Sequence, residues 1–371
     1  MGKDKYVAYV GTYTHENSLG IHIYDVDVEN AEITERKMVP ISNSSDVIIS
    51  HNGKILYSIA DEGVEAFHIK EDGDLETINK KMIGGMRGCY LELDREDRYL
   101  FVAGYHDARV SMMRLNKDGS IAGIADGVFH KGMGRCIAER NSRPHVHCVK
   151  VTPDQKFLCA VDGGLDHVKI YRLDYEGGQL IHHDILRCPL DSAPRAMRFS
   201  KDGQFAYVLC ELTNVVNVYR YYVTENDNPE FEKIQSISTK DPAEDEVCSA
   251  TTMEFSPDGH YLFCTDAGIN AVLVFEVDRQ TGKLSLVCNN RIGGEFPKSI
   301  AVFPDGKHFM CLNHDSNSIG IFSMNYEGNY FLMHGKPVEV ETPNCVYIHK
   351  LQAGTERRER HGREVPFGNK E

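Results

Sequence analysis

Hydrophobic residues along this chain recur with a period of two, in short runs broken by turn signals, and convincing helical periodicity is absent. A larger pattern recurs as well. An apolar strand is followed by a turn resembling P-D-G, a second apolar strand, a polar loop, and a third strand ending in an acidic or polar residue. The clearest copies are MRFSKDGQFAYVLCELTNVVNVYRY from Met197, MEFSPDGHYLFCTDAGINAVLVFEVD from Met253 and IAVFPDGKHFMCLNHDSNSIGIFSM from Ile300. CVKVTPDQKFLCAVDGGLDHVKIYRLD from Cys148 is a fourth, and weaker copies start at Ile48 and Leu91. The turn glycine or its substitute falls at Gly53, Asp97, Gln155, Gly203, Gly259 and Gly306, with separations of 44, 58, 48, 56 and 47 residues.

A three- or four-stranded antiparallel unit repeated about every 50 residues is a propeller blade. Six copies are explicit. The seventh is split between Tyr6–Val28 and a returning strand at Pro343–Lys350 (PNCVYIHK), an arrangement that closes the ring and removes exposed edges. An open array or several sandwiches is the rival reading, and the regular spacing disfavours it. The expectation is an all-β fold, a seven-bladed β-propeller in which N- and C-terminal strands share one blade. It would form one domain over residues 1–353, despite a length of 371 that would otherwise suggest two or three. The segment from Gly354 to Glu371 (GTERRERHGREVPFGNKE) is charged, lacks apolar content and is expected to be a mobile tail.

Composition narrows the function classes. With 41 basic against 55 acidic side chains, the net charge is -14, which repels nucleic acid and anionic membrane. The N-terminus enters strand-like alternation without an apolar signal core, and no run of about 18 apolar residues exists. The eleven cysteines are never spaced C-x-x-C, and most sit in apolar runs (Cys159 in FLCAV, Cys264 in YLFCT, Cys311 in HFMCL), where a thiol acts as a small hydrophobe. These features predict a reduced, cytoplasmic protein with neither a disulfide framework nor a zinc site.

The repeat register also locates candidate chemistry. Eight residues before each aligned turn lies one equivalent position at the start of the innermost strand: Ser45, Cys89, His147, Arg195, Thr251 and Lys298. Seven or eight residues after the turns lies the loop returning to the same mouth, with Gly104 and Tyr105, Asp162 and Gly163, Cys210 and Glu211, Asp266, then Asn313 and His314. His147, Arg195, Lys298, Glu211, Asp162, Asp266, His314 and Tyr105 are therefore expected around one end of the channel. Polar groups from several blades at a shared mouth fit a small-molecule site. Cations beside a histidine and carboxylates suit acid–base chemistry on an anionic substrate. Bland readings stand beside these. His145 and His147 in PHVH have metal-ligand character, but spacing fixes no third ligand. Arg195 and Glu211 could form a structural ion pair, and Asp162, Asp166 and Asp266 could cap turns. His182 and His183 read as surface residues of an outer strand. Nucleophile-elbow, P-loop and dinucleotide fingerprints are absent.

The segments NSRPHVHCVKVTPDQKFLCAVDGGLDHVKIYRLD, SAPRAMRFSKDGQFAYVLCELTNVVNVY and FPKSIAVFPDGKHFMCLNHDSNSIGIF, with the opening YVGTYT and GIHIYDVD, resemble the seven-bladed propeller lactonase family. The likeness runs from about Tyr6 to Lys350. It implies hydrolysis of a small anionic sugar lactone, foremost 6-phosphogluconolactone to 6-phosphogluconate in the pentose phosphate pathway, without metal or cofactor. A monomer that binds neither nucleic acid nor membrane is expected. The resemblance assigns catalysis to His147 (with His145 as the other reading), Arg195 and Glu211. Lys298 stands where the family usually has arginine, which keeps the charge but loses a bidentate fork. Substrate contacts are expected from Lys298, His145, Tyr105, Asp162, Asp266 and His314. VDGGLD differs slightly from the family's DLG-x-D. A lactone-forming cycloisomerase, related to carboxy-muconate cyclases, and a non-catalytic ligand-binding propeller are the alternatives.

Overall fold

The computed structural model describes residues 4–14, 17–134, 142–240 and 247–352. Among these residues all regular secondary structure is β, arranged as seven antiparallel sheets. In blades 2 to 7 the strands follow chain order from the central channel outward. Their innermost strands are Val47–Ile49, Tyr90–Leu93, Val146–Val151, Pro194–Phe199, Ala250–Phe255 and Pro297–Val302. Blade 7 carries an extra short strand, Val338–Glu339. Blade 1 breaks the order, because its innermost strand is Pro343–Lys350, paired with Tyr6–Thr12 in the register Ala8↔Ile348 and Val10↔Val346. The architecture is the seven-bladed propeller anticipated from the repeats, split blade included. The proposed tail, 354–371, lies outside the described residues.

Burial explains the hydrophobic pattern. Second strands such as Ile55–Ala60, Phe157–Asp162 and Phe205–Cys210 are buried at every position, since neighbouring blades cover both faces. Outer strands such as Gln179–Arg187 alternate weakly and are largely exposed; His182 is exposed and His183 half-buried. Each of the seven blade-to-blade interfaces has its own apolar cluster, including the interface between the last and first blades, where Phe303, Met310 and Leu312 meet Ala8, Val10 and Tyr24. At the face away from the mouth, buried tyrosines satisfy their hydroxyls on the next blade's outer hairpin. Tyr9 donates to the Gly73 carbonyl, Tyr57 to Gly119, Tyr99 to Tyr175 and Tyr207 to Gly282, all within 2.9 Å.

The six aligned turn positions all have left-handed backbone: Gly53, Asp97, Gln155, Gly203, Gly259 and Gly306 lie at φ of 71, 54, 64, 74, 73 and 66°. Glycine meets that requirement without strain, which is why it recurs there. A chain ending at Thr342 would leave Tyr6–Thr12 as an open edge and strip the ring of its closing strand. That truncation is expected to abolish a cooperative thermal transition by circular dichroism; a sharp melt like that of the full chain would show that closure is dispensable.

Candidate active site

The site is built by an irregularity that repeats around the ring. In five blades the innermost strand carries one residue more than its partner at the mouth. Val146 and Cys148 oppose Asp162 and Val161, leaving His147 as the extra residue, and the same happens at Arg195, Thr251, Lys298 and Asn344. A bulge re-aims the side chain it adds. All five of these residues, with Ser45 and Cys89 from the remaining blades, line the central channel, a cavity of about 700 Å³.

A second repeated device fixes where four of the innermost strands begin. The residue eleven after the aligned turn is Asp166, Asn214, Asn270 or Asn317, each left-handed at φ of 50–54°. Its side chain accepts from backbone amides leading into the next blade. Asp166 takes Asp191, Ser192 and Ala193 just before Arg195; Asn214 takes Ala250 before Thr251; Asn270 takes Phe296 before Lys298; Asn317 takes Thr342 before Asn344. These residues occupy one repeat position, so the sequence carried the signal, although Asp166 alone was singled out.

Above the channel lies a mouth of about 280 Å³ lined by Tyr13, Arg87, Tyr105, His147, Arg195, Glu211 and Lys298, among others. Arg195 donates from Nη1 to Glu211 Oε2 at 2.8 Å and from Nε to the Thr251 carbonyl at 2.9 Å; Nη2 donates to none of the described residues. The other oxygen of Glu211 accepts from Ser249 Oγ at 3.1 Å. The rings of Tyr105, His145 and His147 pack mutually, each pair with centroids 4.9 Å apart. Gly163 permits this packing, because a Cβ there would stand 2.8 Å from His145 Nε2 and 3.2 Å from His147 Cδ2. His147 lines the mouth, whereas His145 is buried behind it. His145 Nδ1 donates to the Arg143 carbonyl at 2.9 Å, and burial holds its pKa below the usual histidine value, which favours the neutral ring.

Lys298 enters from blade 7. Its ammonium donates to Asn344 Oδ1 at 2.5 Å and to Tyr13 Oη at 3.4 Å, and lies 4.5 Å from the Tyr13 ring centre. Burial, with the nearby Arg195 and Arg87 guanidinium groups, lowers its pKa to about 8. One storey deeper the channel charges neutralise each other: Lys150 pairs with Glu92 at 2.6 Å and Arg198 with Glu254 at 3.2 Å. The mouth is the storey with positive charge in excess.

Three anticipated contacts lie elsewhere. Asp162 Oδ1 accepts from the amides of His145, Gly164 and Leu165, while Oδ2 meets His130 Nδ1 at 2.7 Å. Asp266 Oδ1 likewise accepts from Ser249, Gly268 and Ile269. Both are fully buried turn-organising carboxylates rather than mouth-lining groups, since each folds back on its own loop. His314 stands behind Tyr13, its ring centroid 5.5 Å away, and Nδ1 donates to the Pro343 carbonyl. Asp162, His130 and His167 are also the described residues close enough to share a metal, their candidate ligand atoms lying within 4.8 Å; this buried group excludes His147. Arg87 and Tyr13 were not singled out from the sequence, because neither occupies the repeat positions used to locate the mouth.

A family model described as "Lactonase, 7-bladed beta-propeller" matches residues 7–348. The chain belongs to this family. It is 28% identical over 354 residues to a 6-phosphogluconolactonase of Bacillus subtilis, covering 94% of this chain and 99% of the relative. It is 27% identical to a 6-phosphogluconolactonase of Formosa agariphila, over 86% of this chain and 92% of that one. Among solved structures, the periplasmic gluconolactonase of Pseudomonas aeruginosa superposes with a TM-score of 0.87 at 25% identity, covering 94% of this chain and all of that one. Among the described residues no helix is long and apolar enough to cross a membrane.

Replacing Asp266 with alanine leaves the amides of Ser249, Gly268 and Ile269 without their acceptor, at about 1–3 kcal/mol for a buried donor so abandoned. Asp266→Ala is therefore expected to lower the denaturant midpoint clearly. An unchanged midpoint would return this carboxylate to the ligand-binding set.

Proposed function

We propose that this protein hydrolyses a sugar lactone, foremost 6-phosphogluconolactone. The observation that carries the reading is the shared mouth, where the His147 imidazole and the Arg195 guanidinium face one cavity with Lys298 completing its rim. The relatives named 6-phosphogluconolactonase support the choice of substrate.

In this reading His147 takes a proton from water as the water oxygen bonds to the lactone carbonyl carbon. The carbonyl π pair moves onto oxygen, and the oxyanion is met by the Nη2 edge of Arg195, which donates to none of the described residues. Glu211 is a positioning residue that holds the guanidinium through Nη1. Collapse of the tetrahedral intermediate breaks the ring C–O bond. The departing alkoxide takes the proton back from the His147 imidazolium, and the new carboxylic acid releases its own proton to solvent, leaving a carboxylate near Arg195. His145 and Tyr105 hold the catalytic ring on its open side by packing. The substrate's anionic end meets Lys298. A net charge of -14 over the chain makes the cationic mouth an electrostatic exception on the surface, able to concentrate small anions.

A stopped-flow pH-indicator assay on fresh lactone tests this, with the spontaneous rate subtracted. Acceleration of phosphorylated or neutral gluconolactone is expected, falling about 10²–10⁴-fold in His147→Ala. Near-normal turnover in that variant would remove His147 as the base. Arg195→Lys should also be damaging, because an ammonium cannot contact Glu211 and the oxyanion with one planar fork. Failure to accelerate either lactone would favour cycloisomerisation or simple ligand binding.

Lys298 predicts a pH limb. The ammonium is the anion-binding form, and with its pKa lowered to about 8 it is present below that pH and lost above it. Affinity for 6-phosphogluconate should fall as pH rises through 8, and Lys298→Arg should flatten the limb, since a guanidinium stays charged. Calorimetric titrations from pH 6.5 to about 9.5 would check both; identical profiles would exclude Lys298 titration from binding.

A further inference from the structure

Arg87 stands on the segment leading into blade 3 and shares the Tyr13 ring with Lys298. Its guanidinium carbon lies 4.7 Å from the Tyr13 ring centre, where the Lys298 ammonium lies at 4.5 Å. Both residues line the mouth together with Arg195. The hydrogen bonding around the pair is unbalanced. Lys298 donates to two neutral oxygens, Asn344 Oδ1 and Tyr13 Oη. Arg87 makes one ionic contact, 3.3 Å to Asp61 Oδ1, and that carboxylate is half exposed and also accepts from Asn43 Nδ2 at 2.8 Å. The Nε and Nη2 groups of Arg87 donate to none of the described residues. Glu211 is committed to Arg195 and Ser249.

Two like charges held on one aromatic ring, with the half-exposed Asp61 beside Arg87 as counter-charge, repel each other in a partly desolvated place. An incoming dianion removes that repulsion and gains charge-assisted hydrogen bonds from both. A carboxylate offers one planar pair of oxygens. A phosphate offers three, enough to accept the Arg87 fork and the Lys298 ammonium at once.

We infer that Arg87 and Lys298, both set against Tyr13 at one mouth, form a phosphate subsite, and that Arg87 is the residue that selects the phosphorylated lactone over the neutral one. This rests on the lactonase reading and adds to it the residue that discriminates the phosphorylated substrate from the neutral one. In a six-membered lactone the carbonyl carbon and the carbon that bears the phosphate arm flank the same ring oxygen, and Arg195, Arg87 and Lys298 line one mouth.

The test compares kcat/KM for 6-phosphogluconolactone and unphosphorylated gluconolactone in the wild type, Arg87→Gln and Arg87→Lys. In Arg87→Gln the ratio of the two values should fall about 10- to 100-fold, chiefly through KM for the phosphorylated substrate. Arg87→Lys should recover part of the loss, because charge returns without the fork. An unchanged ratio in Arg87→Gln, or a wild type that prefers the neutral lactone, would overturn the subsite. Calorimetric binding of 6-phosphogluconate and gluconate to the same proteins separates this from failure of the lactonase reading. If the wild type hydrolyses neither lactone yet binds the phosphorylated acid more tightly, and Arg87→Gln erases that preference, the subsite stands and hydrolysis falls. Equal binding of both acids by the wild type would remove the subsite whatever the catalytic result.

Discussion

Pairing of Tyr6–Thr12 with Pro343–Lys350 is the contact on which everything else rests. It joins segments more than three hundred residues apart and turns an array of meanders into a ring. Once the ring closes, each blade has two neighbours, each interface has its apolar cluster, and the second strands are sealed on both faces. The channel exists because the circle is complete. Asn344, itself on the closing strand, then holds the Lys298 ammonium, so closure and the character of the mouth meet in one residue.

Two kinds of clamp join adjacent blades, at opposite ends of the interfaces, and the interface between blades 5 and 6 carries both. Tyrosine hydroxyls work at the far face and Asp or Asn side chains at the mouth. Both satisfy backbone groups that burial would otherwise leave costly. The mouth clamp matters more for chemistry, because it fixes the backbone one or two residues before Arg195, Thr251, Lys298 and Asn344. Small changes at Asn214 or Asn270 would be transmitted to a neighbouring blade's cavity residue without touching it.

Much of this was legible in the chain because a repeat encodes geometry. Counting from the turn residues to His147, Arg195 and Lys298 worked because strand length between turn and mouth hardly varies, bulge included. The same counting could not tell which way an acidic residue faces after the second strand. Asp162 and Asp266 share a register with groups at the mouth, yet their short side chains reach their own loop's amides first. Glu211 is one position later and one methylene longer, and reaches Arg195 instead. Arg87 and Tyr13 escaped because they lie in irregular connecting segments, where sequence distance says little about position. The clamps at Asn214, Asn270 and Asn317 lay in plain register, but their partners are backbone amides, which leave no mark in composition.

The bulged position has an evolutionary meaning. His147, Arg195, Thr251, Lys298 and Asn344 are each supernumerary to their ladder, so the strand pairing on either side is indifferent to which side chain stands there. Exchanging one of them leaves the backbone ladder intact and gives up only the bonds of that side chain, such as those of Thr251 to Thr265 and the Pro297 carbonyl. Such a ring holds a handful of chemical letters on a frame whose ladders do not read them, so new substrates can be tried by drift at the mouth while the strand pairing is inherited unchanged.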